Sequence, residues 1–141
     1  MTTKKYEALV PGRIFVGGID AIDELLENEK IDVIYDLRAE VKGSLSSDVS
    51  VLQPIVDEAD NLDESIKAAV TAVMNAYHSD KNVFFHCNTG RGRAGTIATA
   101  TLLELRQADT VDEAEHKAKE IRPQIKVRPQ FKEALKRIYK D

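Results

Sequence analysis

Val83-Phe84-Phe85-His86-Cys87-Asn88-Thr89-Gly90-Arg91-Gly92-Arg93-Ala94-Gly95-Thr96 is the stretch on which the reading of this chain turns. A short apolar run leads into His86-Cys87. Five residues separate Cys87 from Arg93, and Gly90, Gly92 and Gly95 fall within six positions, after which a helical pattern begins. The sequence therefore predicts a strand, a glycine-rich loop and a helix N-terminus. That combination binds anions, because backbone N–H groups converge in the loop and the helix dipole favours negative charge. In open α/β sheets, ligands bind outside the C-terminal ends of the strands, which is where Cys87 stands. A free cysteine is most often a buried core thiol. Here the thiol shares a loop with Arg93, whose guanidinium fork matches two phosphate oxygens. Loop amides and a helix N-terminus also favour the thiolate, the nucleophilic form. We read the loop as a phosphate site in which Cys87 attacks.

Two other glycine loops are set aside on physical grounds. Gly90, Gly92 and Gly95 satisfy G-x-G-x-x-G after a strand and before a helix. A dinucleotide site also requires a following strand with an acidic residue near its end, and here only helical patterns follow. A Walker A loop requires a lysine before its hydroxyl residue, whereas Gly95 is followed directly by Thr96.

The rest of the chain fits a small enzyme. At 141 residues it is expected to form one domain, residues 1–141, with a substantial core. A net charge of −4 argues against a protein that coats nucleic acid or an anionic membrane. The single cysteine excludes an internal disulfide and a cysteine-rich zinc site, and His78, His86 and His116 lack metal-ligand spacing. No metal and no cofactor is expected. Met1–Glu7 has no apolar core, so no signal peptide is read there. No apolar run reaches membrane-spanning length. The expected setting is cytoplasmic, where thiols stay reduced.

The order of elements predicts an α/β fold: a small, mostly parallel central sheet of about four strands flanked by helices. The active-site loop lies between the last strand and a buried helix. Arg13–Val16 and Ile31–Leu37 read as strands around a helix that Asp20 caps and Ile22, Leu25 and Leu26 bury, giving a parallel βαβ pair. Arg38–Asp48 reads as an exposed polar loop. Val49–Leu52, with Ile55-Val56, is a third strand, kept to an edge by Pro54. Asn61 and Glu64 fit a capping box for a helix with Leu62, Ile66, Ala69, Val70, Val73, Met74 and Tyr77 on one face. Val83–Phe85 is the central strand. The segment Ile97–Leu105, apolar on most sides, suits a buried helix. Thr110 and Glu113 fit a second capping box, and Pro129 suits the first turn of a last helix.

At the loop the chain resembles a known family. His86-Cys87, five residues and Arg93 resemble the signature of the cysteine-dependent protein tyrosine phosphatase superfamily, as do Gly90 and Gly95-Thr96. The start Arg13-Ile14-Phe15-Val16-Gly17-Gly18, the stretch Val33–Arg38 and the late Arg122-Pro123 are similar to its dual-specificity branch. The resemblance implies that Cys87 forms a phosphocysteine, while Arg93 and the backbone of Asn88, Thr89, Gly90, Arg91 and Gly92 hold the phosphoryl oxygens. It implies that His86 helps hold the thiolate. It also implies an acidic residue about thirty positions before the cysteine that protonates the leaving oxygen. Asp57 matches that position, Asp60 is the next choice, and Asp36 looks more like a structural acid. One departure is plain. The family usually places Ser or Thr directly after the arginine, and this chain has Ala94. The missing hydroxyl predicts slow hydrolysis of the phosphocysteine, with Thr96 as a compensating group at a different position.

The expected substrate is a phosphorylated protein carrying phosphotyrosine, phosphoserine or phosphothreonine, or a small phosphomonoester. Arg91 adds a second charge at the place where relatives acting on phosphoinositides often carry a basic residue, so an inositol phosphate or lipid stays open. A phosphate-binding module with weak catalysis and, more distantly, a sulfurtransferase are the other readings.

Overall fold

The computed structural model describes residues 5–39, 49–58 and 60–141. The elements run β1 (Tyr6–Val10), β2 (Ile14–Gly18), a 3-10 turn (Ile19–Ala21), α1 (Ile22–Asn28), β3 (Val33–Asp36), β4 (Ser50–Leu52), α2 (Leu62–His78), β5 (Val83–Cys87), α3 (Arg93–Glu104), α4 (Val111–Ile121) and α5 (Pro129–Tyr139). The five strands form one sheet in the order β1-β2-β5-β3-β4. Among the described residues only the β1–β2 pair is antiparallel.

The period-2 alternation of the strands assigns each side chain to a face. On β5, Val83, Phe85 and Cys87 join the large core under the later helices, while Phe84 joins a smaller core with Ile22 and Leu25 of α1. Cys87 thus faces the α3 side of the sheet and His86 the α1 side. Phe84 and Phe85 are both fully buried, and each contributes on the order of 1.5–3 kcal/mol through burial. That burial fixes the register of β5, and a one-residue slip would carry the thiol to the wrong face.

Several expectations change. β1 adds a fifth strand. Its register shifts between Ala8 and Val10, and this bulge breaks the alternation by which a strand is recognised. β2 and β3 run in the same direction but are not neighbours, because β5 lies between them. The crossover through α1 therefore skips a position that a later strand fills. Asp20 sits in the 3-10 turn and caps nothing, and Leu26 is 40% exposed. Asn61 makes no side-chain cap bond, since the carbonyl of Glu58 accepts the Asn61 and Leu62 amides and closes the turn instead. The strand expected at Val49–Leu52 does lie at an edge, as β4, but it ends at Leu52, and Ile55-Val56 lies outside it. Thr110 does cap α4, accepting from the Glu113 amide, and Pro129 opens α5. Of the polar loop expected over residues 38–48, residues 40–48 lie outside the described residues. No helix among the described residues is long and apolar enough to cross a membrane.

Candidate active site

Cys87 is the last residue of β5 and is 6% exposed. The chain then turns through residues 88–92 and enters α3 at Arg93, its first residue. Each carbonyl of that turn is engaged by a neighbour. Asn88 O accepts from the Ile19 amide at 3.2 Å, Arg91 O from the Lys126 amide at 3.0 Å, and Gly92 O from the Thr96 amide at 2.9 Å. Thr89 O and Gly90 O accept from Nη2 and Nε of Arg122, each at 3.0 Å. The amides of residues 88–92 donate to no group among the described residues. The carbonyls of residues 88–92 are thus all engaged, while their N–H groups keep no acceptor within a loop that begins at the thiol-bearing residue. That is the arrangement an oxyanion requires.

Two glycines let the loop close this tightly. Gly90 has φ +72°, and a Cβ there would lie 2.5 Å from the Gly17 carbonyl carbon. A Cβ on Gly18 would lie 2.9 Å from Asn88 O. The other loop glycines do different work. Gly92 has φ −85° and caps α3. A Cβ on Gly95 would meet Ile125 Cγ2 at 2.7 Å, so this glycine seats the helix against the segment after α4.

Arg122 is the functional residue that sequence reasoning missed as such. It is 5% exposed. Besides the two loop carbonyls, its Nη1 donates to Glu7 Oε1 at 2.5 Å and to Lys5 O at 3.3 Å. One guanidinium therefore ties β1 to the loop. Its sequence signal was only an arginine before a proline, a spacing that predicts extended backbone at the end of a helix, not a contact with Gly90 across the fold.

His86 is 1% exposed and stacks on Phe84 at 5.6 Å. Its Nδ1 lies 3.0 Å from Cys87 O. A carbonyl only accepts, so Nδ1 carries the proton. Burial holds the imidazole below its ordinary pKa; the bond to Cys87 O and the nearby Asp36 oppose this without reversing it. His86 thus braces the backbone of Cys87. Asp36, opposite His86 in the sheet, accepts from the Arg38 amide at 3.0 Å, from Arg38 Nε at 2.9 Å and from Nη2 at 2.6 Å. Burial works to raise its pKa, but the bonds from Arg38 prevail and hold it below the usual carboxylate range. Both of its oxygens are engaged by Arg38, as suits a structural acid.

Asp57 is drawn to the N-terminus of α5. Gln130 Nε2 donates to its Oδ2 at 3.2 Å, and Arg128 Nη1 lies 3.7 Å from the same oxygen. Gln130 and Arg128 also line a cleft with Thr89, Arg91 and Gly92, so Asp57 is held by two residues that flank the loop, while its own cleft is shared with Leu62, Asp63, Glu133 and Arg137. Asp60 is exposed and makes no hydrogen bond or ion pair among the described residues. Ala94 is fully buried in the first turn of α3. The Thr96 hydroxyl donates to Gly92 O at 2.8 Å, so its proton is already engaged within the helix. Among the described residues, no cluster of His, Cys, Asp and Glu is placed to hold a metal.

The sequence model of the family described as "Dual specificity phosphatase, catalytic domain" matches residues 14–141. Solved structures share the fold. A mouse putative dual specificity phosphatase complexed with zinc tungstate superposes with a TM-score of 0.81 at 22% identity, over 99% of this chain and 89% of that one. Human DUSP28 gives 0.79 at 19% identity, over 99% and 95%. PTPMT1 in complex with PI(5)P gives 0.76 at 18% identity, over 96% and 95%. No curated protein matches by sequence.

Proposed function

The chain belongs to the dual specificity phosphatase family, a family of cysteine-dependent phosphatases, and on that premise we propose how its own residues carry the reaction. The Cys87 thiolate attacks phosphorus while the amides of residues 88–93 and the Arg93 guanidinium bind the equatorial oxygens. The ester P–O bond breaks, and the leaving oxygen takes a proton from Asp57. An S–P bond has replaced an O–P bond, giving a phosphocysteine. Water then attacks phosphorus and gives a proton to the Asp57 carboxylate; phosphate leaves and the thiolate returns. His86 and Arg122 act as positioning residues, one on the Cys87 backbone and one on the loop carbonyls.

The observation that carries this reading is the loop's polarity. The carbonyls of residues 88–92 are all bonded, leaving their N–H groups without an acceptor among the described residues in the loop that follows a nearly buried thiol. A preorganised donor of this type is worth about 10²–10³-fold in rate when removed singly. The same loop serves an ester of Tyr, Ser, Thr or a polyol, because it contacts only the phosphoryl group. Oxyanion and phosphoinositide complexes of similar structures, tungstate in the mouse protein and PI(5)P in PTPMT1, agree with it. Residues 1–141 act as one catalytic domain in a cytoplasmic, reducing setting that keeps the single cysteine free. The test is hydrolysis of an aryl phosphate by wild type and Cys87→Ser. Wild type is expected to release phosphate and to be inhibited by vanadate, and the variant to release none. Equal release by both sinks the reading.

A further inference from the structure

Asp57 is held more firmly in its backbone surroundings than in its side chain. The Ile55 amide donates to Leu37 O at 3.1 Å and the Val56 amide to Ser65 Oγ at 3.0 Å, while Glu58 O accepts from the Asn61 and Leu62 amides just beyond. The Asp57 residue itself is exposed. Among the described residues its carboxylate has one hydrogen bond, from Gln130 Nε2 to Oδ2 at 3.2 Å. Arg128 Nη1 lies 3.7 Å from the same oxygen, beyond hydrogen-bond distance, and its guanidinium lies over the Phe131 ring at 5.7 Å. Gln130 is the second residue of α5 and has a fixed base. Pro129 sets the first turn, and Phe131 is fully buried. The segment before them is tied to the loop, where the Lys126 amide donates to Arg91 O at 3.0 Å. Gln130 lines both the cleft that holds Thr89, Arg91 and Gly92 and the cleft that holds Asp57 and Asp63. One side chain on a rigid helix start therefore connects the loop to the acid.

We propose that Gln130 is a positioning residue for protonation of the leaving group: it fixes Asp57 Oδ2 as an acceptor, so that Oδ1 carries the proton that the leaving oxygen receives. The proposal rests on the phosphatase reading above and adds a residue to it. A protonated carboxyl has one O–H oxygen and one oxygen that only accepts. The Gln130 N–H requires an acceptor, so the proton stands on Oδ1. In the first step the Oδ1–H bond breaks, and the proton goes to the leaving oxygen as the P–O bond breaks and the S–P bond forms. In the second step a proton of the attacking water returns to Oδ1 as the S–P bond breaks. Oδ2 accepts from the amide throughout, because a neutral donor serves the carboxyl and the carboxylate alike. An exposed carboxyl without that bond turns about its side-chain torsions, and a proton donor off its line is a poorer acid catalyst.

The experiment measures kcat/KM for nitrophenyl phosphate, whose leaving group departs with little help, and for phenyl phosphate, whose leaving group needs a proton. It compares wild type, Gln130→Ala, Gln130→Glu, Asp57→Asn and the double variant Asp57→Asn with Gln130→Ala. Gln130→Ala is expected to lose on the order of tenfold on phenyl phosphate, the worth of one hydrogen bond, and much less on the nitro ester. Gln130→Glu offers oxygens that only accept and is expected to lose at least about as much. Both variants are expected to keep a Tm within about 2 °C of wild type, since residue 130 is exposed and the first turn of α5, which holds no acid, accommodates a glutamate. In the Asp57→Asn background Gln130→Ala is expected to add no further loss, because the group it positions no longer donates a proton. Equal losses on the two esters, losses that track a lowered Tm, a loss of about tenfold that persists in Asp57→Asn, or no loss at all overturns the proposal. Absence of any turnover by wild type fails the phosphatase reading, and the proposal with it.

Discussion

Arg122→Ala is the perturbation that most sharply separates this account from one in which the loop holds itself. The guanidinium donates to Thr89 O and Gly90 O at 3.0 Å each and pairs with Glu7 at 2.5 Å. A hydrogen bond to a charged group contributes about 1.5–3 kcal/mol, and removing one partner of a buried pair costs about 3–5 kcal/mol. These contributions overlap, because Glu7 is partly exposed, and about 4 kcal/mol is a fair total for stability. For a chain of this size that corresponds to a fall in Tm of roughly 12 °C. The effect on catalysis is separate. Two freed carbonyls let the loop rotate its amides away from the phosphoryl site, so kcat/KM with an aryl phosphate is expected to fall at least about a hundredfold at a temperature where the variant is still folded. Circular dichroism gives the Tm and steady-state kinetics the rate. Glu7→Gln is the companion variant, expected to lower Tm with a much smaller effect on kcat/KM. If folded Arg122→Ala keeps wild-type kcat/KM, the loop amides do not depend on Arg122 and the reasoning fails.

Other outcomes follow from the same geometry. His86 is held neutral in the fold, so the unfolded chain takes up a proton first as pH falls through about 6.5. Stability is fully present above that pH and declines below it, by at most about 1.4 kcal/mol per pH unit. His86→Gln should flatten the dependence of Tm on pH between neutrality and mild acid, and an unchanged profile argues against a buried neutral imidazole. Asp57→Asn is expected to slow hydrolysis roughly a hundredfold for poor leaving groups and far less for an activated aryl ester; equal losses on both point to another acid. Ala94→Ser supplies the hydroxyl that the thiolate lacks on leaving. Wild type should show a pre-steady-state burst, and the variant a smaller burst with steady-state turnover raised on the order of tenfold, the worth of one hydrogen bond.

Local signals made much of this legible in the sequence. Val83–Phe85 announced β5 by hydrophobicity alone, and Thr110 and Pro129 marked the starts of α4 and α5 through caps that act within one turn. The spacing of Cys87 and Arg93 is likewise a local property of one loop, so the resemblance could be read there. What failed to show depends on distance along the chain. The place of β5 between β2 and β3 is set by the packing of whole layers. Arg122 meets Gly90 32 residues away, and Asp57 is held by Gln130 across 73; no periodicity encodes either. β1 escaped because its bulge disturbs the alternation, and Asn61 because a backbone carbonyl closed the turn that its side chain was expected to close.

The central claim is that Cys87 is the nucleophile, and the direct measurement is of the covalent intermediate. Wild type is mixed with an aryl phosphate, quenched in acid within the burst and analysed by intact and peptide mass spectrometry. The account predicts one phosphoryl group, on the peptide containing Cys87, in amounts that track the burst, and none in Cys87→Ser. Sustained phosphate release with no phosphorylated Cys87 at any time, or turnover retained in Cys87→Ser, would contradict it.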